Sequence, residues 1–236
     1  MKDHTNSAPN KFRRTAEELS KEMDVLQKQL FNAKAHFDVF MGLIKSSPKY
    51  SHVFNCSLAF WNLTVQAHGD MALSLLSRIY DQNDKSIHLP NFLKAVEQSD
   101  YLFNVQAFKE RISKTPGRDV ETLASYERTL NREQLESDKF FCSGSNPSVK
   151  SLIIWRNNVI SHFSYEHLVA DPKPFHEKYP IPFDGIEELL SRGFSIINYY
   201  SGVFRASQHS ENFLSHQKSD YLFVLESIQS KLIRSP

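Results

Sequence analysis

The stretch from Thr15 to Ser46 constrains the fold of this chain more than any other. Thr15 and Glu18 have the spacing of a capping box, in which the two side chains pair with the free N–H groups at the start of a helix. Apolar residues then recur with the period of an α-helix: Leu19, Met23, Leu26, Leu30, Ala33, Phe37 and Phe40. The stretch therefore predicts a long amphipathic helix that must pack against other helices to bury its apolar side.

Helical periods recur along the remainder of the 236-residue chain. Further helices are predicted over about 51–80, from His88 to about Val96, and over about 101–112, 119–139, 184–206 and 220–233. Only seven glycines occur, and alternating patterns of the kind that form strands are nearly absent. We therefore predict an all-α protein.

The composition limits the kinds of partner that the chain can attract through charge. The 28 lysines and arginines nearly balance the 27 aspartates and glutamates, so any phosphate binding must come from a local patch. The first residues lack the apolar segment of a secretory leader, and no run approaches the roughly 18 apolar residues of a membrane span. With only Cys56 and Cys142, a cytoplasmic protein with reduced cysteines and no membrane contact is expected.

A polar cluster interrupts the apolar helix that is predicted to begin after Asn146. Asparagine can cap a helix, and Pro147 suits the first helical position because its missing N–H would be unpaired there. The second half of this helix carries four hydrogen-bonding side chains: Arg156, Asn157, Asn158 and His162. Such groups are costly to bury without partners, so we predict that they face one another, a partner chain or a ligand.

The spacing of Arg156 and His162 suits a groove between two helices. On an ideal α-helix, six residues correspond to about 120° of rotation and about 9 Å of rise, so the two side chains flank one broad face. Two such helices meeting across a twofold axis would bring both pairs into one cleft. There His162 could transfer protons and Arg156 could hold negative charge while a 2′-hydroxyl attacks the adjacent RNA phosphodiester.

Each of these residues also has an ordinary structural interpretation. His162 could bond the carbonyls at its own helix end, and Arg156 could be a surface residue. Asp81 and Asp84, on a polar turn, could orient Arg156 or His162, but aspartates are common in such turns. Tyr165 could stack on a base or close the helix end.

Residues 156–162, which read RNNVISH, resemble the signature of the HEPN superfamily: arginine, four to six residues of which the first is polar, then histidine. A second stretch, residues 77–93, reads SRIYDQNDKSIHLPNFL. It resembles the helix-turn-helix junction of the abortive-infection-associated HEPN subfamily. The resemblance covers about 51–163. It implies a helical bundle that dimerises with its Arg…His helices facing each other. Many members are metal-independent endoribonucleases of toxin–antitoxin, phage-defence or RNA-processing systems, and others are inactive scaffolds.

The resemblance implies roles for particular residues. Arg156 and His162 would be the catalytic pair and Asn157 the polar residue that tunes or positions them, with no metal or cofactor. From the residues themselves, we add Asn158, Asp81 and Tyr165 as candidate supporting residues. We therefore expect a homodimeric, metal-independent endoribonuclease that has RNA as substrate and an antitoxin protein as a further candidate partner.

Two other functions fit the same sequence. One is a catalytically silent HEPN-like dimer that binds RNA, a nucleotide or a partner protein. The other is a plain helical interaction module in which the motif is coincidental. The nearly neutral charge favours these two, because nucleases that bind RNA without sequence preference usually carry a basic surface.

The domain organisation predicted from these patterns is simple. Residues 1–11 are expected to form a disordered lead and residues 12–236 a single HEPN-like helical domain. Its core would span about 51–163, and extra C-terminal helices would form an extension over about 183–236.

Overall fold

Helices account for the regular structure of the described residues. The computed structural model describes residues 11–160, 173–209 and 217–234, in which eleven α-helices and no β-strand occur. The helices are α1 (Ala16–Ser46), α2 (Ser51–Cys56), α3 (Leu58–Ile79), α4 (Leu89–Gln98), α5 (Val105–Ile112), α6 (Val120–Ala124), α7 (Arg132–Phe141), α8 (Pro147–Trp155), α9 (Phe175–Lys178), α10 (Phe183–Arg205) and α11 (Gln217–Arg234). The prediction of an all-α fold is confirmed. Apart from Lys11, the predicted disordered lead lies outside the described residues.

The long first helix is confirmed at both ends. The Thr15 hydroxyl accepts a hydrogen bond from the Glu18 N–H at 3.2 Å, and the Glu18 carboxylate accepts one from the Thr15 N–H at 2.8 Å, which completes the capping box. The apolar side of α1 is buried against α3 and α10 in the main core. At the crossing with α10, a Cβ added to Gly193 would lie 2.7 Å from Leu30 Cδ2, so a side chain at this position would force the buried Leu30 to shift.

Helix α10 belongs to the same core as the helices before it. Its buried side chains pack in one continuous cluster with residues of α1, α3, α4 and α8. They include Leu189, Leu190, Phe194, Ile197, Tyr200 and Phe204. By contrast, α11 lies against α1 and α2, where Leu225 closes a smaller cluster of buried residues.

The single helix predicted over 51–80 is wrong, because Ser57 separates α2 from α3. Ser57 has φ −149° and ψ 59°, well outside the helical region. Phe54 and Trp61 lie seven residues apart, which is about 10 Å along a continuous helix, yet their ring centroids are 5.0 Å apart. The break lets both rings enter the smaller cluster under α11.

The single helix predicted over 119–139 is also wrong. Residues 125–131 separate α6 from α7, and Asn131 caps α7 by accepting a hydrogen bond from the Gln134 N–H at 3.0 Å. Arg128 turns inward between the two helices and is only 7% exposed. It donates to the Leu123 carbonyl at 2.9 Å and to the Gly202 carbonyl of α10 at 2.6 Å. This tertiary contact fixes the irregular backbone.

Three arginines bind the C-terminal end of α10. Besides Arg128, the Arg111 guanidinium donates twice to the Phe204 carbonyl, at 3.1 and 3.0 Å, and Arg118 donates to the Ala206 carbonyl at 3.3 Å. Cations are favourable at this end of a helix because the last carbonyls are unpaired and carry partial negative charge.

None of the described helices is long and apolar enough to cross a membrane.

Candidate active site

The turn between α3 and α4 is held by a buried histidine. His88 Nδ1 accepts a hydrogen bond from the Asn91 N–H at 3.2 Å and so caps α4, which leaves Nε2 to donate to the Asn83 carbonyl at 2.7 Å. The Asn91 amide donates to the carbonyls of Asn83 and Ser86 at 3.1 and 2.9 Å. Burial lowers the pKa of His88, so the imidazole is held neutral in this role.

The same turn places Asp81 against Arg156. The preceding residue, Tyr80, is fully buried, and its hydroxyl donates to the Leu189 carbonyl of α10 at 2.6 Å. Asp81 is only 6% exposed. Its Oδ1 accepts one hydrogen bond from the Gln82 N–H at 2.7 Å and another from Arg156 Nη1 at 2.9 Å. The end of α3 therefore presents a nearly buried carboxylate to the arginine of the predicted catalytic pair.

Arg156 lies where the helix after Asn146 changes its geometry. Asn146 caps α8 as predicted, accepting from the Ser148 N–H at 2.9 Å. At the other end, the Trp155 indole donates to the Tyr179 carbonyl at 2.6 Å. The next five residues, Arg156–Ile160, form a π-helix rather than the α-helix that was predicted. The rotation of 120° calculated for an ideal α-helix therefore does not apply to this segment, and π-helical turns are frequent at functional sites.

The other predicted site residues are placed as follows. Asn157 is exposed, and Asn158 donates to the Ile154 carbonyl of its own helix at 2.8 Å. His162 and Tyr165 lie outside the described residues, so their positions relative to Arg156 stay predictions. Of the predicted set within the described ranges, the structure brings only Arg156 and Asp81 into contact.

Asp84, the other aspartate of the turn, points elsewhere. Its carboxylate pairs with Lys94 at 2.9 Å and with Lys11 at 3.4 Å. These two ammonium groups hold the pKa of Asp84 below its usual range. Asp84 therefore does not orient Arg156.

A cavity of about 340 Å³ lies beside the ion pair. Two of its lining residues, Gln29 of α1 and Arg78 of α3, were not singled out from the sequence. Arg78 lies three residues before Asp81 in the segment that resembles the subfamily junction, so proximity to that aspartate was an available signal. Gln29 has no such signal, because it approaches the site only through the packing of α1 on α3.

A metal site needs several ligating side chains close together. Within 11–160, 173–209 and 217–234, no group of three or more histidine, cysteine, aspartate or glutamate side chains is placed to hold a metal ion.

Comparison with known proteins identifies the family. Residues 10–222 match the HEPN family AbiU2. The chain belongs to this family. No match is found among curated proteins, and none among solved structures.

Membership of AbiU2 confirms the predicted HEPN superfamily and its abortive-infection-associated subfamily. The match is wider than the 51–163 over which the sequence resemblance extended, and it includes α1 and α10. The helices that form the main core and the elements that carry Asp81 and Arg156 are therefore all part of the AbiU2 match.

The geometry of this AbiU2 chain leaves Arg156 able to bind an anion. A guanidinium has five N–H groups, and the contact with Asp81 uses Nη1. The Arg156 side chain is 31% exposed and lines the cavity. Asp81 thus fixes one edge of the guanidinium, and the remaining donors can reach a phosphate oxygen.

Proposed function

We propose that this AbiU2-family protein is a metal-independent endoribonuclease that acts in the cytoplasm in phage defence or as the toxin of a toxin–antitoxin pair. In the proposal, two chains form a homodimer, and the Arg156 and His162 side chains of both chains line one composite site. The observation that carries the proposal is the contact of Arg156 with the nearly buried Asp81 at the edge of a cavity. Anchored guanidiniums of this kind stabilise charge that develops on phosphoryl oxygens.

The proposed reaction is an attack of the RNA on itself. The 2′-oxygen forms a bond to the adjacent phosphorus while the bond from phosphorus to the 5′-oxygen of the next nucleotide breaks. One His162 imidazole accepts the proton of the 2′-hydroxyl, and an imidazolium gives a proton to the departing 5′-oxygen. Arg156 holds the negative charge on the non-bridging oxygens. The products are a 2′,3′-cyclic phosphate and a 5′-hydroxyl.

A second candidate function is a catalytically silent HEPN-like dimer that binds RNA, a nucleotide or a partner protein. Two observations favour it. The net charge of the chain is only +1, and Asp81 neutralises part of the charge of Arg156.

Cleavage of single-stranded RNA in excess EDTA tests the proposal. Wild-type protein is compared with Arg156→Ala and His162→Ala, and with Lys45→Ala and His52→Ala as matched controls, since both of these residues are exposed. We expect EDTA-resistant cleavage that leaves cyclic phosphate ends, is retained in both controls, and falls at least about 100-fold in both site variants.

Three results would contradict the proposal. A folded dimer that cleaves no RNA would favour the silent binding protein. Equal cleavage by wild type and site variants would show that the activity belongs to a contaminant. A monomer under the assay conditions, measured by light scattering, would exclude the composite site.

A further inference from the structure

A cavity with an excess of positive charge lies beside the C-terminal end of α10. It has a volume of about 530 Å³, and its walls come from the start of α1, the end of α5, the loop after α5 and the end of α10. Among the described residues that line it, two carry carboxylates, and both carboxylates are already paired. Glu17 pairs with Lys21 at 2.7 Å and Asp24 with Arg205 at 2.7 Å. They therefore do not compensate the remaining cations of the cavity.

Three of those cations have no carboxylate partner within the described ranges: Arg111, Lys114 and Arg118. The two arginines donate to backbone carbonyls of α10, and these contacts leave Nη1 of Arg111 and Nη2 of Arg118 without a described partner. Lys114 is exposed, and its ammonium group forms no hydrogen bond or ion pair with a described residue. Burial lowers the pKa of Arg111 to about 10, so a nearby anion would stabilise its charged form.

A second cavity adjoins the first at the end of α10. It has a volume of about 470 Å³, and its walls include Tyr126, Tyr199 and Ala206. The Ala206 carbonyl accepts the hydrogen bond from Arg118, which lines the first cavity, so the two cavities meet at this contact. We call the two cavities together the α10 groove.

Tyr126 presents an aromatic ring to the second cavity. The residue is 63% exposed, and its hydroxyl forms no hydrogen bond with a described residue. Arg128 lies beside the ring, with its guanidinium carbon 5.8 Å from the ring centroid. Because the fold covers so little of this ring, a flat ligand such as a nucleobase can stack on it.

We propose that the α10 groove binds single-stranded RNA at a place separate from the Arg156 site. The phosphates lie against Arg111, Lys114 and Arg118, and a base stacks on Tyr126. Proteins that bind single strands combine a cationic groove with aromatic rings in this way, because every base has a face that can stack. The groove shares no lining residue with the cavity beside Arg156. This inference rests on the proposed function only in taking RNA rather than DNA as the ligand.

The charges of the two cavities determine which part of a nucleotide each one receives. Glu127 lines the second cavity and would repel a phosphate there. The phosphates are therefore assigned to the first cavity and the base to the second. An acidic peptide would also be attracted to the first cavity, but it has no flat ring to place on Tyr126, so the tyrosine distinguishes the two kinds of ligand.

Binding of 2′-fluoro oligonucleotides tests the groove without any cleavage, because these molecules have no 2′-hydroxyl to attack phosphorus. Fluorescence anisotropy compares a labelled hexanucleotide of adenosines with one that has the same backbone but no bases. The proteins are wild type, Lys114→Ala and Tyr126→Ala, with the exposed Lys45→Ala and Phe140→Ala as matched controls. A parallel series carries Arg156→Ala in addition, which removes the contribution of the other cavity.

The two groove variants are expected to act differently. Wild type and both controls should bind the adenosine oligonucleotide at least about fivefold more tightly than the abasic one, and Tyr126→Ala should bind the two equally. Tyr126→Phe keeps the ring and should behave as wild type.

Lys114→Ala should weaken binding of both oligonucleotides by about three- to tenfold and lower the slope of log affinity against log salt by about 0.7. Lys114→Arg should restore most of the affinity, which distinguishes a charge contact from damage to the fold.

The outcomes separate this inference from the nuclease proposal. Binding that depends on Lys114 and Tyr126, in a protein that cleaves no RNA, would support the groove and overturn the nuclease. RNA cleavage by a protein whose binding is unchanged in both variants would overturn the groove alone. Absence of binding by either oligonucleotide at 0.5 mM protein would also overturn it, as would hexaglutamate competing as strongly as the unlabelled adenosine oligonucleotide.

Discussion

The contact between Asp81 and Arg156 can be tested by removing each charge in turn. Asp81→Asn keeps the size of the side chain and an oxygen that can still accept the Gln82 N–H, but it removes the negative charge that faces Arg156. Arg156→Gln removes the positive charge. The double variant completes a thermodynamic cycle whose coupling energy measures the interaction of the two charges.

The magnitude follows from the geometry and burial of the pair. With Nη1 and Oδ1 2.9 Å apart, the charge centres lie about 4 Å apart, which corresponds to about 4 kcal/mol at an effective dielectric constant of about 20. Desolvation of the nearly buried carboxylate offsets part of this gain. The Arg156 side chain is 31% exposed, so the coupling should lie between about 0.2–1 kcal/mol for exposed pairs and about 3–5 kcal/mol for buried ones. We expect a coupling of about 2 kcal/mol.

Urea unfolding of the four proteins, at one fixed protomer concentration, measures this coupling. In thermal unfolding, Asp81→Asn should lower Tm by about 4–8 °C. A coupling below about 0.5 kcal/mol would refute the reasoning, because it would mean that the two side chains do not interact in solution.

If the protein cleaves RNA, Asp81→Asn should also lower kcat about 100-fold, since the guanidinium loses its anchor. A rise in kcat would instead show that Asp81 restrains Arg156.

Two further predictions concern the fold around the site. Gly193→Ala should lower the free energy of unfolding by about 1–2 kcal/mol, because the clash of the new Cβ with Leu30 outweighs the gain in helix propensity; unchanged urea stability would show that α1 and α10 do not cross so closely. Burial lowers the pKa of His88, so the unfolded chain takes up a proton at a higher pH than the folded one, and stability should fall as pH drops below about 6.5. His88→Asn, which keeps a capping oxygen for α4, should lose less stability than wild type between pH 7 and 5. If Tm depends on pH identically in the two proteins, protonation of His88 does not cause the loss.

The sequence predicted correctly where α1 and α8 begin, because each start is determined by residues within one helical turn. The capping box of Thr15 and Glu18 and the Asn146–Pro147 pair act within one turn, so they can be read directly. The breaks at Ser57 and at 125–131 could not be predicted in this way. They depend on the packing of distant residues, such as the hydrogen bond from Arg128 to the Gly202 carbonyl of α10.

The candidate site was predictable only in part, for the same reason. Arg156 was found from its spacing and its resemblance to a known motif, and Asp81 was one of two aspartates on a suitable turn. The sequence could not show how the two aspartates are oriented, because each carboxylate is held by residues outside the turn: Asp81 by Arg156, and Asp84 by Lys94 and Lys11. Nothing near Gln29 in the sequence indicates that it lines the same cavity as Arg156, since the packing of α1 on α3 creates that proximity.

The arginines at the end of α10 also affect which sequence changes the chain can accept. Between 113 and 131, Arg128 is the one buried residue, and its hydrogen bonds together with the packing of Leu130 hold this segment to the core. Lysine would carry the same charge but could not reproduce the planar two-point contact that Arg111 makes with Phe204. Most of this segment can therefore change without loss of these contacts, whereas Arg128, which bridges the Leu123 and Gly202 carbonyls, has no conservative substitute.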